Sequence, residues 1–287
     1  MINIKHFIQY IIILVLFIFY KLLGLKYSRI LSAQIFKIFG PFFRSNKISD
    51  ENLKRAFDNL DENKRKKILK KMWSNYGKIF AEYMFIKSFR HNSKIFNTIS
   101  VKNKNILHKI KRTAKPVIFI SGHFNNFELM AMIIEKSGID LTAIYRPLNN
   151  KYLNPIMENI RKKYICKKQI KKGISGTRSL LKHFKNGSSI ALMVDQRVSE
   201  GIRCNFFNEK ALTTTIPAQF VKKFNSEIIP VYIERSKNDN FKIKFFNSIK
   251  FEENDSIETI TLKINKILED LIVKNPDQWI WTHNRWK

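Results

Sequence analysis

The sequence predicts an α/β fold, a largely parallel sheet flanked by helices, preceded by an N-terminal membrane-anchoring helix. Beyond residue 115, short runs rich in valine and isoleucine alternate with helical patterns, which is the order of strand–helix–strand units. These runs are apolar without alternation, as expected of strands buried on both faces. The anchoring helix is predicted by an uncharged stretch from residue 7 to residue 20.

This uncharged stretch is FIQYIIILVLFIFY. With LLGL after Lys21 it reaches about 18 to 20 residues, the length that crosses a bilayer. A cleaved signal peptide is the alternative, but the small residues of a cleavage site do not follow directly. Basic residues are more frequent after the stretch (Lys21, Lys26, Arg29) than before it (Lys5). The positive-inside rule therefore predicts that the body of the protein is cytoplasmic, with a single N-terminal anchor.

Nothing in the composition divides the remainder into separate domains, because no linker rich in proline, glycine or serine and no internal repeat occurs. We predict a membrane anchor at 1–25 and one domain at 26–287. Within that domain, 26–114 is predicted to be helical and membrane-proximal, and 115–287 to be the α/β core. Residues 28–44 are aromatic and basic, which fits either a helix in the headgroup region or an ordinary core helix.

The soluble elements begin with an amphipathic helix, because apolar residues recur at steps of three and four from Leu69 to Tyr83. The predicted strands are KPVIFIS (115–121), LTAIY (141–145), SIALMVD (189–195), EIIPVYIER (227–235) and FKIKFF (241–246). The predicted helices lie within 127–138, 149–164, 175–187, 216–225 and 257–273.

The charge is strongly basic: 53 Lys and Arg against 23 Asp and Glu, a formal net charge of +30. Such an excess indicates an anionic partner, which could be a membrane surface, an acidic protein or substrate, or nucleic acid. No zinc-finger, RNP or other nucleic-acid motif supports the last of these. The two cysteines, Cys166 and Cys204, have no metal-ligand spacing and fit a reducing compartment.

Three polar residues follow the ends of three predicted strands: His123, Arg146 and Asp195. In an open α/β sheet, ligands bind beyond the carboxyl ends of the strands. We therefore expect these side chains to converge on one site.

The stretch SGHFNNFELM, residues 121–130, places Glu128 five residues after His123. On a continuous helix the two would point apart, but they can meet if His123 lies in a turn and Glu128 in the first helical turn. Gly122 would permit the bend, and Asn125 or Asn126 would cap the helix. A hydrogen bond donated by one imidazole nitrogen to Glu128 would then fix the tautomer and leave the other nitrogen to act as a general base. Spacing alone favours the alternative, a helix-start acid beside a loop histidine.

HFNNFE (123–128) resembles the H-x4-E/D motif of membrane acyltransferases. Four further segments, in order and at similar spacing, resemble the late acyltransferases of lipid A biosynthesis, the lauroyl/myristoyl transferase family. They are TAIYRPLNN (142–150), GTRSLLKHFKNGSSIALMVDQR (176–197), NFFNEKALTTTIPAQF (205–220) and PDQWIWTHNRWK (276–287). The similarity extends over nearly the whole chain.

The resemblance implies transfer of a fatty acyl chain from acyl carrier protein to a hydroxyl of a Kdo-linked lipid A precursor, at the cytoplasmic face of the bacterial inner membrane. It implies His123 as general base with Glu128 as its partner, and no acyl-enzyme. The remaining motif positions, to which we assign substrate binding, are Arg146, Asn149, Arg178, Asp195 and Gln196. We predict no cofactor and no metal.

The residues themselves leave the roles of these positions open. Arg146 or Arg178 could bind a phosphate or a developing oxyanion, and Asp195 could order an arginine. Structural salt bridges are the alternative for both arginines. Family members more often have glycine where this chain has Asn125 and Asn208, and asparagine tolerates the left-handed conformation that glycine would supply.

The C-terminal WIWTHNRWK places Trp279, Trp281 and Trp286 among His283 and Arg285. These residues could form an interfacial aromatic belt, or a tail packed on the domain near the site. We expect packing, with an alternating, strand-like tail against a sheet edge.

Two further functions are weighed against the lipid A acyltransferase. A glycerophospholipid or glycolipid acyltransferase would use the same chemistry on another acceptor, but it leaves the YRPLNN and WTHNRWK segments unexplained. A non-enzymatic basic protein that binds anionic lipid or nucleic acid explains the charge alone.

Overall fold

A computed structural model describes residues 3–287. The helices are α1 (Ile4–Phe43), α2 (Asn46–Ala56), α3 (Glu62–Glu82), α4 (Ile86–His91), α5 (Ser93–Phe96), α6 (Asn105–Thr113), α7 (Glu128–Lys136), α8 (Leu153–Tyr164), α9 (Ile174–Lys185), α10 (Ile216–Phe224) and α11 (Ile257–Lys274). The strands are β1 (Ile99–Lys102), β2 (Ile118–Ser121), β3 (Leu141–Tyr145), β4 (Lys168–Lys171), β5 (Ser189–Met193), β6 (Ile202–Phe206), β7 (Glu209–Thr213), β8 (Ile228–Arg235) and β9 (Phe241–Phe245).

The centre of the fold is a seven-stranded sheet in the order β1-β9-β8-β2-β5-β3-β4. Every neighbouring pair in it is parallel except β8 and β9, which are antiparallel. All four residues of β2, in the middle of the sheet, are buried. The predicted largely parallel sheet flanked by helices is thus confirmed.

Two strands of this sheet, β1 and β4, are absent from the sequence prediction. Their sequences are ISVK and KQIK, short and carrying lysine. They lie at the two edges of the sheet, where strands are short and charged because one side of the backbone has no partner strand. The antiparallel pair of β6 and β7 was not predicted either.

Helix α1 bends sharply at Gly24, which has φ 73° and ψ 167°. A side chain is strained at positive φ, so glycine is the residue suited to this bend. The hydroxyl of Ser28 donates to the carbonyl oxygens of Tyr20 and Gly24, each at 2.7 Å. The bend therefore divides α1 into a first half, residues 4–23, and a second half, residues 25–43.

By length and composition, α1 could cross a membrane. Its segment Ile4–Phe42 has a mean hydropathy of 2.3 in its most apolar window, and little of that window is buried. This is consistent with the predicted membrane-anchoring helix. The division of the chain at residue 25 stays a prediction.

A buried cluster of ionic groups surrounds Glu82, the last residue of α3, beneath the turn that follows β2. Glu82 accepts hydrogen bonds from Arg29 Nε at 2.6 Å and from Arg235 Nη1 and Nη2 at 2.6 and 3.1 Å. Asn126 Nδ2 also donates to it, at 2.9 Å. Although burial acts to raise the pKa of Glu82, the two guanidinium groups lower it below its usual value. The carboxylate thus joins α1, α3, β8 and the turn before α7.

We expect Glu82→Ala to lower the free energy of unfolding by about 3 to 5 kcal/mol, because it leaves two buried guanidinium groups without their partner. Glu62→Ala is the matched control in the same helix, since Glu62 pairs with Lys66 on the exposed surface, where ion pairs contribute about 0 to 1 kcal/mol. Denaturant unfolding of the solubilised protein measures both. Equal losses in the two variants would contradict the structural role of the cluster.

Candidate active site

The turn after β2 places His123 at the carboxyl end of the sheet. Gly122 lies against Asp195, because a Cβ atom at this glycine would be 3.2 Å from the Oδ2 atom of Asp195. Asn125 has φ 46°, the left-handed conformation expected for an asparagine that replaces glycine. Asn208 is also left-handed, with φ 60°. The tight turn that the sequence predicts is therefore present.

His123 forms two hydrogen bonds with Asp195, the residue that follows β5 by two positions. The Nδ1 atom of His123 is 2.8 Å from Asp195 Oδ1, and the backbone N–H of His123 donates to Oδ2 at 2.7 Å. A carboxylate accepts hydrogen bonds, so Nδ1 carries the proton and Nε2 of the neutral ring is unprotonated. The arrangement leaves Nε2 able to accept a proton from a bound substrate.

The electrostatics of this pair favour charge separation. Burial acts to lower the pKa of His123, but the Asp195 carboxylate, with a smaller contribution from Glu128, raises the pKa above its usual value. For Asp195, burial acts to raise the pKa, and the histidine and the hydrogen-bond donors around the carboxylate lower it. An ionised Asp195 can therefore stabilise the imidazolium that forms when His123 takes a proton.

Glu128 does not form the hydrogen bond with His123 that the family resemblance implies. Its Oε1 atom accepts from the Tyr83 hydroxyl at 2.6 Å and from Arg161 Nε at 2.7 Å. Burial acts to lower the pKa of Arg161, but the Glu128 charge raises it above its usual value. Asp195 binds the imidazole instead, and the hydrogen bonds of its carboxylate go to His123 and Trp279.

The predicted helix cap is also different. Helix α7 begins at Glu128, and no side chain caps its first turn. Asn125 contacts Gln278, and Asn126 donates to Glu82. The two asparagine side chains are used in contacts beneath the turn, so the first helical turn is left without them.

His123 opens into a cavity of about 810 Å³. Apolar residues of strands β3 and β5 and helices α7, α9 and α10 form much of its lining, including Ala131, Ala143, Leu181, Ala191 and Ile216. Its basic lining residues are Arg44, Arg146, Arg161, Lys172 and Arg178, and its acidic ones are Glu128 and Glu200. The cavity thus combines an apolar wall with an excess of positive charge.

Six of the seven predicted site residues line this cavity: His123, Glu128, Arg146, Asn149, Arg178 and Gln196. The seventh, Asp195, is fully buried and reaches the cavity through His123. The structure therefore brings the predicted residues together at one end of the sheet. Their catalytic and binding roles stay predictions.

The C-terminal tail packs against the buried side of the site, where it contacts Asp195. Trp279 Nε1 donates to Asp195 Oδ2 at 2.7 Å, and Trp279, Trp281 and Trp286 are buried. The predicted packing of the tail is thus confirmed, although it forms a short 3-10 helix and turns instead of a strand.

A second histidine, His283, lines the same cavity. Burial lowers the pKa of His283 to about 4, and its Nε2 atom accepts the backbone N–H of Arg197 at 3.0 Å. The ring is therefore neutral at physiological pH, with Nε2 already occupied. His123 is the better placed of the two to accept a proton.

A sequence model of the bacterial lipid A biosynthesis acyltransferase family matches residues 2–287. A lipid A biosynthesis acyltransferase of Haemophilus influenzae is 26% identical over 84% of this chain and 76% of its own length. From Escherichia coli, a lipid A biosynthesis lauroyltransferase is 23% identical over 85% of this chain and 79% of its own. A lipid A biosynthesis palmitoleoyltransferase of E. coli is 22% identical over 86% of this chain and 80% of its own length.

The family match extends over almost the whole chain, including the turn that carries His123, the segment that carries Asp195 and the packed C-terminal tail. The matched relatives cover most of their own length as well. This chain therefore belongs to the bacterial lipid A biosynthesis acyltransferase family.

Proposed function

We propose that this acyltransferase moves a fatty acyl chain from acyl carrier protein to a hydroxyl group of a Kdo-linked lipid A precursor, at the cytoplasmic face of the inner membrane. The observation that carries the proposal is His123, held by Asp195 and facing a cavity with an apolar wall and a basic lining. Family membership supplies the class of reaction.

In the proposed reaction, Nε2 of His123 takes the proton of the acceptor hydroxyl while the oxygen attacks the thioester carbonyl of the donor. Asp195 stabilises the imidazolium through Nδ1. The tetrahedral intermediate then collapses, the carbon–sulfur bond breaks, and the imidazolium returns its proton to the leaving thiolate. The products are an ester and a free thiol, and no protein nucleophile or acyl-enzyme is needed.

Glu128 enters this scheme through Arg161. The carboxylate holds the guanidinium group at the cavity wall by a hydrogen bond of 2.7 Å, and Tyr83 donates to the same oxygen. A fixed guanidinium group beside the reacting carbonyl is suited to stabilise a developing oxyanion. We therefore assign Glu128 to positioning, and Asp195 to orientation of the base.

The apolar wall and the basic lining fit the two chemical parts of the substrates. Ala131, Ala143 and Ala191 leave room beside the sheet where larger side chains would fill the cavity, and an alkyl chain gains free energy from such burial. Arg146, Arg178 and the other basic residues suit phosphates and acidic sugars. Acyl carrier protein is acidic, and the formal net charge of +30 favours its approach.

The direct test is acyl transfer from acyl carrier protein thioester to a tetra-acylated, Kdo-bearing lipid A precursor, followed by mass spectrometry. Lysophosphatidic acid is the competing acceptor, and a DNA titration tests nucleic-acid binding. We expect turnover with the lipid A precursor. Preferred turnover with lysophosphatidic acid would favour the glycerophospholipid enzyme, and tight DNA binding without turnover would reject acyl transfer. Lipid A from cells with and without the protein provides the second measurement.

We expect kcat/KM for the acyl carrier protein thioester to fall steeply as ionic strength rises. The encounter depends on long-range attraction, which is screened over about 10 Å at roughly 0.1 M salt. The kcat at saturation should change less, because Asp195 is fully buried and His123 is only partly exposed, so their interaction is little screened. Steady-state kinetics at two salt concentrations measures both quantities. A salt-independent kcat/KM would contradict electrostatic capture of the donor.

A further inference from the structure

The N-terminal end of α1 contacts the rim of the cavity. Asn150 Nδ2 donates to the carbonyl oxygen of His6 at 2.8 Å. The ring of Tyr152 lies against two rings of the helix, 5.5 Å from Phe7 and 5.8 Å from Tyr10 between centroids. The start of the first half of α1 is therefore attached to the loop between β3 and α8.

The other end of the same half-helix also contacts the domain. Phe17 and Tyr20 are buried, and their ring centroids lie 5.1 and 6.3 Å from that of Phe80 in α3. Between the two ends, Ile13 and Leu16 are half-buried in the same cluster. Residues facing the domain thus recur every three or four positions, which is one face of a helix. The first half of α1 lies along the domain over most of its length.

The opposite face of the first half is apolar and exposed. Its exposed apolar residues are Ile4, Ile8, Ile11, Ile12, Val15, Ile18, Phe19 and Leu22. The second half of α1 adds Tyr27, Ile30, Ile38, Phe39 and Phe42. An apolar surface of this extent on a folded protein indicates a binding partner. A lipid bilayer is the partner we infer, because the chain carries a formal net charge of +30 that complements anionic headgroups.

These contacts restrict how the helix can meet the bilayer. A helix that crosses the hydrocarbon core extends through about 30 Å, and its N-terminal end would emerge on the far side from Gly24. The loop attached to that end carries Lys151, which is exposed. Keeping the contacts would carry this lysine and the polar loop into or through the hydrocarbon, which is strongly unfavourable for a charge near the centre.

We propose that the first half of α1 lies along the membrane surface, with its exposed row in one leaflet and both of its ends on the same side of the bilayer. This orientation is a separate proposal from acyl transfer, and it rests on the proposed function only in that the enzyme works at a membrane. Pro147, Leu148 and Asn149 line the cavity, and Asn150, which follows them, holds the helix. The cavity rim thereby faces the lipid surface, so a lipid acceptor can enter from the leaflet.

Cysteine labelling tests the proposal in the full-length protein. The native Cys166 and Cys204 are buried. Lys5, in the first turn of α1, and Lys47, beyond the C-terminal end of α1, are both exposed. We expect Lys5→Cys and Lys47→Cys to react with a membrane-impermeant maleimide from the same side, in inverted vesicles and not in intact spheroplasts. Reaction of Lys5→Cys from the opposite side to Lys47→Cys would establish a crossing helix and overturn the proposal.

Crosslinking in native membranes provides a second measurement. Tyr10→Cys with Tyr152→Cys should be joined by a short bis-maleimide, because the two rings are in contact. The matched control is Ile12→Cys with Tyr152→Cys, since Ile12 is exposed on the lipid-facing row. We expect the first pair to crosslink and the second not to. Absence of a crosslink in both pairs, with both cysteines labelled, would show that the helix leaves the domain and would contradict the proposal.

Neither measurement uses acyl transfer, so the proposal on the membrane and the proposal on the reaction fail separately. If the protein shows no turnover but positions 5 and 47 both label from one side, the proposed reaction is wrong and the proposed orientation of the helix still holds. If both positions label from the periplasm, the helix still lies along the surface, but the cytoplasmic location of the enzyme is wrong.

Discussion

His123→Ala is expected to reduce kcat by about three orders of magnitude, because a positioned general base contributes roughly 10²- to 10⁴-fold. No other histidine of the cavity can replace it, since Nε2 of His283 already accepts a backbone N–H. The measurement is acyl transfer under saturating donor and acceptor, with protein recovered from membranes at the wild-type amount.

Two variants make this result specific. His123→Ala removes a hydrogen-bond donor from the buried Asp195, so a fall in activity could reflect misfolding. His123→Asn keeps a donor for the carboxylate but offers no base, and it should lose activity to a similar extent while it folds normally. His108→Ala, on the exposed side of α6, should be unchanged. Near wild-type kcat in folded His123→Asn would show that His123 is not the base.

The sheet could be predicted from the sequence because its central strands are buried on both faces. β2, β3, β5 and β8 are largely apolar runs that do not alternate in polarity, as expected of strands buried on both faces. Because three of these strands end just before His123, Arg146 and Asp195, the three residues could be placed together at the carboxyl end of the sheet. Edge strands carry no such pattern, because their sequences are short and charged.

The pairing within the site could not be predicted, because it depends on the alignment of neighbouring strands. β2 and β5 are adjacent, with Ser121 opposite Met193, so the residues two positions further on, His123 and Asp195, are also neighbours. The sequence spacing of five between His123 and Glu128 suggests proximity but carries no such information. Residues 72 apart in the chain form the closer pair.

Other contributors looked ordinary in the sequence. Tyr83 belongs to a regular apolar row and was expected to be a core aromatic, but its hydroxyl binds Glu128. Arg161 is one of three consecutive basic residues in α8, where a charged run normally indicates a solvated surface. The sequence predicts that Trp279 packs on the domain, but its hydrogen bond to Asp195 is visible only in the folded structure. A hydroxyl or guanidinium group acquires its partner only when distant elements meet.

The second large effect is expected from Asp195→Asn. Oδ2 of Asp195 accepts two donors, the backbone N–H of His123 and Trp279 Nε1, so the amide oxygen of asparagine should take that position. The amide NH₂ then faces Nδ1 of His123 and donates to it, which moves the ring proton to Nε2. A ring protonated at Nε2 cannot accept the substrate proton. We expect kcat to fall by roughly 10⁴-fold, which is the loss that the same substitution causes in Ser-His-Asp triads by imposing the wrong tautomer.

The pH dependence distinguishes Asp195 from Glu128 as the partner of the base. The carboxylate of Asp195 raises the pKa of His123, and the base acts only when neutral, so wild-type kcat/KM should rise with pH through that raised pKa. Asp195→Asn removes the charge, and the rise should move to lower pH. Glu128→Gln should shift it less, because the Glu128 charge raises the pKa of His123 less than Asp195 does. A larger shift in Glu128→Gln than in Asp195→Asn would restore the pairing of His123 with Glu128 that the family resemblance implies.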